Sequence, residues 1–179
     1  GNMQLQSNNL TEVIERPFNI DSRTNPIPVG RHDWTTYAFT GSTNSSRPIS
    51  FTYRGTIGGL WSGTQRAVSG SVTLRPSYKF SASFSLSRTS ADLNNPYASF
   101  VKTFWTVRTN YSFQKDMFVD VLVQWDPTKR LLNSNVRFNL IHKPLSDLFI
   151  VWNEQRFETG EGIMPGRSLI LKFSQMVAF

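Results

Sequence analysis

The chain has 179 residues, with 19 Lys and Arg against 12 Asp and Glu, a formal net charge of +7, two His and no Cys. The missing Cys excludes a disulfide framework, a thiol nucleophile and any Cys-ligated metal, and two His are too few for a His-rich centre. No apolar run reaches the roughly 18 residues of a membrane-spanning helix.

Charged residues make up only 17% of the chain, so its polarity rests on Ser, Thr, Asn, Gln and Gly. The Lys and Arg are scattered singly and no nucleic-acid-binding motif accompanies them, which argues against a nucleic-acid partner. Gly1-Asn2-Met3-Gln4 is neither a basic nor an apolar leader segment, so no secretion signal is expected there. The chain opens in mid-pattern and is expected to be a portion of something longer, forming a single domain over 1–179.

Taken in order, the dominant signal is period-two alternation. Ile49, Phe51, Tyr53 and Ile57 alternate with Ser50, Thr52, Arg54 and Thr56, and Val68, Val72 and Leu74 with Ser69, Ser71 and Thr73. Tyr78, Phe80, Ala82, Phe84 and Leu86 alternate with Lys79 and a row of Ser. Met117, Val119, Val121, Val123 and Trp125 follow, then Val136, Phe138 and Leu140. A helix would scatter these residues around its axis, whereas a strand puts them on one face. Turn residues between the runs divide the chain into about ten strands: 5–19, 31–43, 48–60, 65–75, 78–87, 100–111, 117–125, 131–142, 148–157 and 167–179. Many are about ten residues long, the length that crosses a bilayer when tilted. Short connections at 44–47, 76–77, 112–116 and 143–147 interleave with long ones at 20–30, 88–99 and 158–166, while 61–64 and 126–130 are short exceptions on the long side. This is the plan of an antiparallel up-and-down transmembrane β-barrel.

The chemistry of the two faces sets the direction. A soluble barrel is charged outside. Here the polar face is small and neutral with isolated bases, Arg54, Lys102, Arg108, Arg137 and Lys172, which suits a hydrated lumen. Asp120 and Glu154 are expected on that lumen side as partners for those bases. Aromatics stand near strand ends, Trp61, Tyr78, Trp105, Tyr111, Trp125 and Phe179, as in girdles at membrane–water interfaces. At the end of the chain Leu169, Leu171, Phe173, Val177 and Phe179 form a terminal amphipathic row. That row resembles the signal read by bacterial barrel-assembly machinery. It places the C-terminus in the periplasm and 158–166 outside.

Val136-Arg137-Phe138-Asn139-Leu140-Ile141-His142-Lys143-Pro144 and Ser146-Asp147-Leu148-Phe149-Ile150-Val151-Trp152-Asn153-Glu154 resemble the penultimate hairpin of one bacterial family. Arg167-Ser168-Leu169-Ile170-Leu171-Lys172-Phe173 resembles its closing strand, and Glu15–Ile20, Ile27–Gly30 and Ala67–Pro76 resemble earlier ones. The family is that of the carbohydrate-binding-family-nine-like domain-containing proteins, whose C-terminal outer-membrane barrel is filed as domain of unknown function 5916. The resemblance implies a C-terminal barrel, here possessing about ten strands and forming part of a larger one, with an N-terminal sugar-binding module outside this chain.

Candidate chemistry is sparse. His142, Ser146 and Asp147 sit around one turn with no nucleophile elbow, and Ser146 and Asp147 read as turn formers. His32 beside Asp33 is too few ligands for a metal. Asp120 and Glu154 are the carboxylates to weigh for glycoside hydrolysis, which needs two of them facing one sugar. Gly58-Gly59 with Trp61-Ser62-Gly63 lacks the Lys-Ser/Thr of a phosphate loop and reads as a turn. The expectation is a non-enzymatic scaffold or pore in the outer membrane of a Gram-negative bacterium, without catalytic residues, metal or cofactor. Its expected partners are the lipid bilayer with its lipopolysaccharide, the assembly machinery and, through the N-terminal module, glycans. Alternatives are a channel for an oligosaccharide or anionic solute, a carbohydrate-active enzyme using 88–99 and 158–166, and a soluble β-sandwich lectin.

Overall fold

Alternating side chains leave opposite sides of a pleated strand, so each run above can present one apolar and one polar face. In the computed structural model the strands are β1 (Asn2–Ile14), β2 (Gly30–Ser42), β3 (Ile49–Leu60), β4 (Gly63–Ser77), β5 (Phe80–Asp92), β6 (Phe100–Gln114), β7 (Met117–Asp126), β8 (Leu131–Lys143), β9 (Ser146–Thr159) and β10 (Gly162–Ser174). The structure describes residues 1–17, 26–93, 99–143, 146–159 and 162–175, without the side chains of 143, 158–159 and 162–165. No helix occurs among the described residues. The strands form one antiparallel up-and-down sheet in chain order, β1-β2-β3-β4-β5-β6-β7-β8-β9-β10. The sheet is not closed into a barrel: β1 and β10 are its edges.

Strand ends shift from expectation, with β1 ending at Ile14 rather than 19, β5 reaching Asp92 rather than 87 and β6 reaching Gln114 rather than 111. Three connections also change in character. The long segment expected at 158–166 is mostly strand, because β9 runs to Thr159 and β10 starts at Gly162, with Pro165 paired opposite Arg156. Proline is tolerated there because β10 is an edge strand, where one N–H in two has no ladder partner to lose. The turn expected at 76–77 is displaced to 78–79, since β4 continues through Pro76 to Ser77. Tyr78 therefore sits in the turn, 93% exposed, rather than opening a strand. Ser146 and Asp147, expected in a turn, are the first residues of β9, and Ser146 is buried.

The chain divides into two compact units: 1–44 with 51–70 and 87–103, and 45–50 with 71–86 and 104–179. In the first, Ile14, Ile27 and Leu93 form a small buried cluster covered by Leu60, Trp61 and Phe100. Two glycines allow close backbone approach here. A Cβ on Gly58 would lie 2.3 Å from the Thr35 carbonyl oxygen, and one on Gly63 would lie 1.9 Å from that of Asp92. Gly58 also takes a φ of 156°, which side chains disfavour. In the second unit the β7–β8 turn is built on Asp126. Its buried Oδ1 accepts the N–H groups of Thr128 at 3.0 Å and Lys129 at 3.1 Å, and Arg130 closes the turn at φ 49°.

Candidate lipid-facing surface

Directly opposed residues in an antiparallel ladder share a face, so the register assigns the described side chains to one side or the other. In the second unit one row reads Tyr111, Val119, Phe138, Ile150, Leu171 across β6 to β10. The next on that face is Thr109, Val121, Val136, Trp152, Leu169. Beyond it come Val107, Val123, Ser134, Glu154, Arg167, and then Trp105, Trp125, Leu132, Arg156. The face is almost wholly apolar on β6 and β7 and turns polar at Glu154 and Arg167 on β9 and β10. Its polar boundary thus falls at different heights on different strands.

The extent of this band follows from β7. Met117 and Trp125 end a row of five apolar residues on one face, about 27 Å along the strand. The β7 row itself is half-buried, while flanking strands of the same surface carry exposed side chains: Leu169 at 65%, Leu171 at 68%, and Phe84, Trp105, Val107, Tyr111, Trp152 and Phe173 with them. Aromatic rings knit the surface together. Phe84 and Trp105 lie 5.5 Å apart by centroid, Phe80 and Tyr111 6.5 Å, and Phe113 meets Tyr111 edge-on at 4.8 Å.

The first unit has the same division. Met3, Leu5, Tyr37, Phe39, Tyr53 and Ile57 share one face, with Phe39 and Tyr53 in ring contact at 6.0 Å. The other carries Gln4, Gln6, Thr40, Ala38, Thr36, Arg54 and Thr56. On these strands Ala38 at 1% and Thr36 at 4% are covered on the polar face, while Leu5 on the apolar face is 77% exposed.

The opposite face of the second unit is lined by carboxamides. Gln124, Asn133, Asn135, Asn153 and Gln155 line an open cavity of about 450 Å³, together with Leu122, Gly166, Ser168 and the strand positions Ser134, Glu154 and Arg167 between them. Asn135 donates to Asn153, whose own amide nitrogen donates to Ser168 Oγ at 3.2 Å, so the amides orient one another. Sequence patterning marked the charged residues of this face but not these amides, whose signal was the polar half of each alternating run.

The expected lumen charges separate. Arg108, Asp120, Arg137 and Lys172 fall on the carboxamide face, with Asp120 opposite Arg137 and accepting a 2.8 Å hydrogen bond from Asn110. Arg54 stands opposite Thr40 on the corresponding face of the first unit, and Lys102 lies 5.7 Å from the Phe100 ring centroid. Glu154 does not join them. It shares the face of Trp152 and Leu169, and it pairs with Arg156 and Arg167 instead of Arg108, Arg137 or Lys172. Asp120 and Glu154 thus lie on opposite sides of the sheet and cannot flank one glycosidic bond.

The expected interface aromatics separate too. Trp105 and Trp125 are direct ladder partners on the apolar face, with Tyr111 along the same strand. Trp61 is elsewhere: it occupies the β3–β4 turn at φ 48°, packs on the Ile14–Ile27–Leu93 cluster and donates Nε1–H to Glu12 at 2.8 Å. Of the terminal row, Leu169, Leu171 and Phe173 share the apolar face, while Val177 and Phe179 lie outside the described residues. No protein-family model and no curated protein matches the chain.

Proposed function

We propose that the chain is an integral outer-membrane β-barrel, or part of one, from a Gram-negative bacterium. It acts as a non-enzymatic membrane scaffold or pore, and in the full protein it carries a sugar-binding module. The observation that supports this reading is the apolar face that runs from Trp105 through half-buried Trp125 to Leu169 and Leu171, exposed at Trp105, Trp152, Leu169 and Leu171 and backed by a carboxamide face. In water each such half-exposed side chain forgoes about 1 kcal/mol of burial; in lipid that term becomes favourable. The edges β1 and β10 are then closed in the membrane, against each other or against further strands of a longer chain, because unpaired N–H and C=O groups cost several kcal/mol in hydrocarbon.

A second reading, a channel for a polar solute, is favoured by the cavity among Gln124, Asn133, Asn135 and Asn153. The test is fractionation of cells expressing the protein, with boiled and unboiled samples compared on an SDS gel. The proposal expects an outer-membrane band whose migration shifts on boiling, and single-channel recordings then separate a pore from a plugged scaffold. A soluble product without a shift overturns it and favours the sandwich lectin.

A further inference from the structure

We infer that Arg156 and Arg167 form a phosphate clamp at the rim of the lipid-facing surface, with a phosphorylated glycolipid headgroup of the surrounding leaflet as ligand. The inference rests on the membrane reading. Glu154 Oε1 accepts Nε–H of Arg156 at 2.7 Å and of Arg167 at 3.0 Å, so one carboxylate oxygen holds two guanidinium groups that would otherwise repel. Exposure of the three decides what a ligand meets. The Glu154 side chain is 14% exposed, whereas Arg156 is 45% and Arg167 53% exposed. An approaching group therefore encounters guanidinium, and the trio carries one net positive charge. Both ion pairs run through Nε, and an arginine can also fork onto a phosphate end-on through its two terminal nitrogens.

Position supplies the rest. On the same face, Trp152 and Leu169 are the ladder pair directly next to Glu154 and Arg167, a step of about 7 Å along the strands. An indole beside a pair of arginines at the edge of an apolar band matches the depth of a lipid headgroup. The clamp lies at the end of the strands away from the β2–β3, β4–β5 and β6–β7 turns. In an outer-membrane barrel that end faces outward, where the leaflet is built from phosphorylated glycolipid.

The test places the full chain in phosphatidylcholine nanodiscs containing phosphorylated lipid A, dephosphorylated lipid A or neither, and measures lipid A co-released with the protein by native mass spectrometry. Wild type is expected to retain the phosphorylated form. The Arg156→Gln/Arg167→Gln variant should lose at least about tenfold of that retention, while keeping its heat-shifted gel band. Lys129→Gln, which removes a charge in the β7–β8 turn, should change little. Equal retention by the double variant, equal loss with Lys129→Gln, or equal retention of dephosphorylated lipid overturns the clamp. Full displacement by millimolar inorganic phosphate overturns the glycolipid assignment in favour of a free phosphate. If the protein enters no nanodisc of any composition, the membrane reading itself has failed.

Discussion

Val136 and Asn135 are neighbours on β8 that face opposite ways, which makes them a matched pair for testing which side meets lipid. Val136 lies between Val121 and Trp152 in the ladder, with Leu140 and Phe138 on one side and Leu132 on the other along the same face. It stands four residues from each end of that run, about 13 Å along the strand, and so near mid-height of the band. Arginine at such a site on a lipid face costs about 2–4 kcal/mol, a shift of roughly 30- to 1000-fold in the folding equilibrium. Asn135 lies between Leu122 and Asn153 in the cavity. Its replacement by arginine loses one neutral hydrogen bond to Asn153, about 1 kcal/mol. Urea titration of both variants folded into phosphatidylcholine vesicles, followed by tryptophan emission, measures the difference. The account expects Val136→Arg to be the more destabilised by at least about 1 kcal/mol. Equal losses, or a larger loss for Asn135→Arg, would refute the assignment of faces.

Gly58→Ala should destabilise by about 2 kcal/mol or more, because the new methyl meets Thr35 carbonyl oxygen and Thr36 Cα; the same titration reads it, and an unchanged midpoint contradicts the close approach. Asp126→Ala removes the acceptor for the Thr128 and Lys129 amides and should cost about 1–3 kcal/mol. Asp126→Asn, which keeps an acceptor oxygen, should recover most of that loss.

How much of this was legible in the sequence varies strand by strand. β7 was expected at 117–125 and is Met117–Asp126, and β8 was expected at 131–142 and is Leu131–Lys143. In both, an alternation broken only at Phe118, Leu122 and Ser134 within 117–125 and 132–140 fixes extent and face together. β9 reads Leu148-Phe149-Ile150-Val151-Trp152, a continuous apolar run without a period. The side taken by Glu154 could therefore be settled only by pairing with Ser134 and Arg167. Gly162, Pro165 and Gly166 carry loop chemistry locally, yet β9 supplies a ladder that overrides it. Trp61 sits in a turn, where alternation says nothing, and its placement depends on Glu12 and on a cluster assembled from distant segments. The Asn135–Asn153–Ser168 chain was illegible for a similar reason, since three polar residues on three strands become neighbours only through register.

The five tryptophans offer the most direct measurement of which surface touches hydrocarbon. Trp105, Trp125 and Trp152 lie on the apolar face. Trp34 lies opposite Leu10 on the face of Ala38, and Trp61 packs on the buried cluster. Single-tryptophan variants, folded into vesicles of lipid brominated along the acyl chain, report contact by quenching. The account predicts strong quenching of Trp105, Trp125 and Trp152 and little of Trp34 or Trp61. Quenching of Trp34 and Trp61 with the other three protected would contradict it.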